Sequence, residues 1–100
     1  MSFDSLLINT CDIVDRHTDD WSEETETIQL GIKCRIQYGN KWIRSYKGES
    51  VLSTALIFYK PTTSIGFQSR VRFDGRDHAV LNISKPQDSV AVHHLEVYVE

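Results

Sequence analysis

From Glu26 to Tyr38 the chain alternates without a break. Ile28, Leu30, Ile32, Cys34, Ile36 and Tyr38 are separated one by one by Gln29, Gly31, Lys33, Arg35 and Gln37. Successive side chains on a strand point to opposite faces, so this run predicts a half-buried β-strand with one apolar face and excludes a helix. Such a strand needs partners on its edges. Leu6 to Val14 alternates more weakly, and Asp19, Asp20 and Ser22 mark a turn, so the two segments read as a long hairpin. A tip near Asp20–Glu24 makes opposed residue numbers sum to about 45, with Cys11 opposite Cys34 and Ile13 opposite Ile32.

The rest of the chain supplies further strands. Val51 to Tyr59 is almost continuous in apolar and hydroxyl residues, and Lys60-Pro61 stops it because proline cannot donate to a ladder. Arg70–Phe73 and His78–Ser84 flank Asp74-Gly75, a strong two-residue hairpin signal. After a turn at Lys85-Pro86-Gln87-Asp88-Ser89, Val90 to Val99 reads as the last strand. Tyr38 to Glu49 loses the alternation between Gly39-Asn40 and Gly48, and reads as a long loop between strands 2 and 3. A short helix fits only near Met1–Leu7 or within Lys41–Ser53. The fold class is therefore all-β: one domain over residues 1–100, with about six strands closing into a small antiparallel barrel or compact sandwich. At 100 residues with 40% hydrophobic content, the chain suffices for one modest core. It has no apolar run of membrane-spanning length, and Met1–Thr10 lacks the pattern of a secretory signal, so a cytoplasmic protein with two reduced thiols is expected.

Charge is unevenly distributed. Between Asp12 and Glu26 seven acids (Asp12, Asp15, Asp19, Asp20, Glu23, Glu24, Glu26) face Arg16 alone, whereas Lys33, Arg35, Lys41, Arg44 and Lys47 occupy a stretch with no acid. Two solvated segments of opposite sign would have this composition. So would two surfaces that meet across a subunit boundary. The chemistry of catalysis is missing. His93 and His94 are strand neighbours that point apart, the acidic turn lacks the glycine and spacing of a calcium loop, and no nucleophile elbow or phosphate-cradling glycine loop occurs. No enzyme, metal site or cofactor is expected. Lys41-Trp42-Ile43-Arg44-Ser45-Tyr46-Lys47-Gly48 mixes cations with aromatic rings, the combination that neutralises phosphates and stacks on bases. The same residues could instead fold back onto the barrel. Arg70 and Arg72 share one strand face, opposite Val71 and Phe73, and belong to the outside.

In chain order, Lys33-Cys34-Arg35-Ile36, Gly48-Glu49-Ser50-Val51 leading to Ala55-Leu56-Ile57-Phe58, Phe73-Asp74-Gly75-Arg76, Ala79-Val80-Leu81-Asn82-Ile83 and His93-His94-Leu95-Glu96-Val97 form a recognisable series. It resembles the small head-tail connector proteins of long-tailed bacteriophages, known as head-completion, stopper or minor capsid proteins. The resemblance implies a β-barrel subunit that assembles into a ring, of roughly sixfold or twelvefold order, beneath the portal or its adaptor after DNA packaging. Such a ring closes the DNA exit channel and offers the tail a docking surface. The implied partners are the portal or adaptor ring, tail proteins, other copies of the chain and double-stranded DNA, with no membrane and no small-molecule substrate. The implied location is the virion, reached from the host cytoplasm. The loop between the second and third strands, Lys41–Gly48 within it, then becomes the channel or gating loop. Asp19, Asp20, Glu23, Glu24, Arg70 and Arg72 become candidate contacts to a neighbouring subunit or the adaptor. Tail-completion proteins share related barrels, and a monomeric OB-like or SH3-like binder of single-stranded nucleic acid is the competing reading.

Overall fold

A computed structural model describes residues 7–18, 21, 24–85 and 94–100. Six strands make up the described fold: β1 (Asn9–Thr18), β2 (Glu24–Arg44), β3 (Ser50–Tyr59), β4 (Arg70–Phe73), β5 (Arg76–Ser84) and β6 (Leu95–Val99). All pairings are antiparallel. The sheet closes on itself as a barrel in the order β1-β2-β3-β6-β5-β4, with β4 returning to β1 through Asp12–Val14 and Arg70–Arg72. The all-β expectation holds, and closure removes the edges of the central strands. Among the described residues there is no helix, so the one considered within Lys41–Ser53 is absent. Met1–Leu6, Asp19, Asp20, Ser22, Glu23 and Pro86–His93 lie outside the described residues, and with them the first part of the expected last strand.

Inward-facing residues from every strand meet in one core. Ile13, Cys34, Ile57, Tyr59, Val71, Val97 and Val99 are fully buried, with Cys11, Ala55, Phe73, Val80 and Leu95 packed among them. Burial alternates along β3 and β6 as a one-sided sheet requires. His78 joins this core as a structural residue: its ring stacks on Phe73 at 3.9 Å between centroids, and Nδ1 donates to the Glu100 backbone oxygen at 2.8 Å. Ser69 fastens the loop before β4 by donating to Asp15 and accepting from Gly66 N at 3.0 Å.

Bulges bend this sheet enough to close it. Cys11 pairs with Ile32 and Ile13 with Gln29, so Leu30 and Gly31 together stand opposite Asp12. Gly31 takes φ 63° and donates its N–H to Asp12 Oδ1 at 3.0 Å, a conformation that favours glycine. The extra residue reverses the phase of β2. Ile28 and Leu30, read from the alternation as part of the buried face, are instead exposed, Leu30 by 75%. A second bulge sets Gly39 and Asn40 opposite Thr54, and a third lies at Leu81 in β5.

The β1–β2 register also differs from expectation. Cys11 faces Ile32 and Cys34 faces Asn9, a two-residue slip from the expected pairing of the cysteines. A slip of two keeps each side chain on its face, which is why both cysteines are still inside. The expected β4–β5 hairpin is present, with Asp74 at φ 54° and Gly75 at φ 74° as the two central residues of a type I′ turn.

Candidate functional site

The segment expected to be a long loop is mostly strand. β2 continues past the Gly39-Asn40 bulge, and Lys41, Trp42, Ile43 and Arg44 pair with Ser53, Leu52, Val51 and Ser50. Only Ser45–Glu49 connects the strands. The bulge had hidden the continuation, because an inserted residue breaks an alternating pattern while leaving the hairpin intact. Within the hairpin, Ile43 and Val51 are half-buried as a cross-strand pair, while Trp42 and Leu52 form an exposed pair on the other face.

Its tip is a tight, internally bonded turn. Ser45 N donates to Glu49 O at 2.8 Å, Gly48 N to Ser45 O at 2.9 Å and Lys47 N to Ser45 Oγ at 3.2 Å. The turn also touches the barrel at a distance in sequence. Tyr46 N donates to Leu81 O at 2.9 Å, Asn82 Nδ2 donates to Arg44 O at 2.8 Å, and the Tyr46 ring stacks on Phe67 at 4.6 Å. Lys47 lies over Tyr46, and Lys41 lies over Tyr98 of β6. A cleft of about 290 Å³ runs beside the tip, lined by Tyr46, Lys47, Phe67, Arg70 and Val80. The structure therefore brings Lys41, Trp42, Arg44, Tyr46 and Lys47 onto one pinned hairpin and adds Arg70 at its margin. Phe67, Leu81, Asn82 and Tyr98 are the partners that sequence reading missed. No local pattern marks them, since each meets the hairpin only through the closure of the barrel.

The remaining candidates are dispersed. Arg72 is engaged on the barrel wall, with Nε 2.6 Å from Asp77 Oδ1 and a second nitrogen 3.8 Å from Glu26, which also approaches Arg16 at 3.4 Å. The Arg72 guanidinium holds the Asp77 carboxyl below its usual range, and Asp77 in turn raises Arg72. Arg70 is exposed and enters no ion pair among the described residues. Of the acidic turn, Asp19, Asp20 and Glu23 lie outside the described residues, and Glu24 opens β2 opposite Thr18. In sequence β2 thus runs from the acid-rich segment Asp12–Glu26 to a basic hairpin end, where Lys41 and Arg44 stand on the strand and Lys47 in the turn.

His94, just before β6, sits 3.0 Å from Glu96 Oε1 and beside Phe58 in a partly buried pairing. Among the described residues no group of three or more His, Cys, Asp or Glu side chains is placed to hold a metal ion. No described helix is long and apolar enough to cross a membrane. No family profile, curated protein or solved structure matches the chain.

Proposed function

We propose that this protein is a structural subunit of a bacteriophage head-tail connector, a head-completion or stopper barrel that assembles as a ring on the portal or adaptor after DNA packaging. The separation of charge along the chain supports the reading, with acids concentrated from Asp12 to Glu26 before and at the start of β2 and Lys41, Arg44 and Lys47 in the hairpin at its end. In a closed ring each subunit uses one surface to meet a different surface of its neighbour, and an acidic segment facing a basic one meets that requirement. The β2–β3 hairpin supplies the part that reaches the channel. Lys41, Arg44 and Lys47 give it positive charge toward DNA, while Trp42 and Leu52 form an apolar face for packing against the same hairpin of other subunits. The hairpin is held by backbone pairing and by Phe67 and Leu81, so gating would displace a formed element rather than order a free loop.

Charge reversal tests the ring contact. Replacing Asp19, Asp20, Glu23 and Glu24 with lysine is expected to block addition of the subunit to DNA-filled heads in low salt, with assembly read by sedimentation of the particles. Intact assembly of this variant in both low and high salt would contradict the contact. Binding of the free protein to single-stranded DNA with a steep salt dependence, without any assembly, would favour the nucleic-acid module instead.

A further inference from the structure

The proposed assembly makes no use of the chain's two cysteines. Both are buried on the inner face of the barrel, Cys11 at 4% exposure and Cys34 at 0%. They stand on adjacent strands as diagonal neighbours, since Cys11 faces Ile32 and Cys34 faces Asn9. Inward side chains converge on the concave face of a small barrel, which turns both thiols toward the same part of the core. The Tyr59 hydroxyl lies 3.1 Å from Cys11 Sγ and completes the cluster. Two inward thiols on adjacent strands, shielded from other molecules' cysteines, are placed to react with each other before they react with anything larger than a small oxidant.

We propose that Cys11 and Cys34 form a dithiol couple that closes to an internal disulfide between β1 and β2 when the protein meets a hydroperoxide. Cys11 is the attacking sulfur. Cys34 and, more weakly, Tyr59 hold its thiol below the ordinary value against the opposing effect of burial, while Cys11 and burial push Cys34 up. The Cys11 thiolate attacks one peroxide oxygen, the O–O bond breaks, and the departing oxygen takes up a proton and leaves as water or an alcohol. Cys11 is then a sulfenic acid. Cys34 sulfur attacks Cys11 sulfur, the S–O bond breaks as the S–S bond forms, and the departing hydroxide takes the Cys34 proton and leaves as water. The two sulfurs have together lost two electrons to the peroxide. The new bond ties β1 to β2 and closes the loop carrying the acidic turn, so the oxidised barrel is expected to unfold at a higher temperature. Because both sulfurs are shielded, the oxidant reaches them through local opening of the ribbon, and the reaction is slower than that of a free thiol.

The test uses the reduced full-length protein, hydrogen peroxide and intact-mass measurement after denaturation with N-ethylmaleimide. The expected product is a monomer lighter by about 2 Da that takes up no maleimide, with Cys11 and Cys34 joined in the peptide map. Three results would each overturn the proposal. These are oxygen added to one sulfur while the other still takes maleimide, disulfide-linked dimers, or two free thiols after an exposure that fully oxidises a cysteine-containing control peptide. All measurements are made on the native sequence, so no variant has to fold for the result to count.

Discussion

Tyr59 is the largest fully buried side chain among the described residues, and its hydroxyl lies within hydrogen-bond distance of Cys11 Sγ. Burial, together with the neighbouring Cys11, pushes its pKa well above the usual tyrosine value. The folded state therefore keeps this proton while the unfolded chain releases it from about pH 10 upward. Stability linked to Tyr59 is full below pH 10 and falls as pH rises, by about 1.4 kcal/mol for each further pH unit. Tyr59→Phe removes the hydrogen bond and is expected to cost about 1 kcal/mol at neutral pH. The variant also loses the alkaline penalty, so denaturant curves of the two proteins should converge and cross above pH 10. Parallel loss of stability in both would contradict this role. At the same scale, sequence was most informative where one residue type has one conformational use. Asp74-Gly75 announced its turn because both positions need positive φ. Gly31 carried the same kind of information about a bulge, but its place in a regular alternation concealed it.

Among the elements, β2 shows both the reach and the failure of pattern reading. Its central part, Ile32–Ile36, follows the period of two and packs against the core. Each end is set off by a bulge, and there the period misleads: Ile28 and Leu30 turn outward, and Lys41–Arg44 looks like loop although it is paired strand. Alternation reports the side-chain phase of an uninterrupted ladder and cannot follow an inserted residue. Strands β3 and β4, which contain no bulge of their own, were legible almost to their ends. The candidate site was legible as a charged aromatic segment but not as a hairpin, because its contacts to Phe67, Leu81 and Tyr98 depend on closure of the whole sheet. Reversing charge at Lys41, Arg44 and Lys47 with glutamate leaves the pairing, the turn bonds and the Tyr46–Phe67 stack in place. Heads supplied with this triple variant are expected to retain less packaged DNA than those with the wild-type subunit, measured as the fraction of full particles. Wild-type retention of DNA would exclude these three cations from channel closure.

Across the whole molecule, one closed barrel carries a basic hairpin at one end of its longest strand, while the acid-rich segment precedes that strand in sequence. The fold class was readable because strand-forming segments, turn residues and chain length left few other ways to bury the apolar faces. The proposed connector role rests on the sequence resemblance and on the charge separation along the chain, and it requires that the protein belong to the particle. The direct measurement is mass spectrometry of density-gradient fractions from a lysate of the source virus or of induced source cells. The polypeptide is expected in DNA-filled heads and complete virions and not in empty procapsids, as a component added after packaging. Its absence from every particle would contradict the connector role.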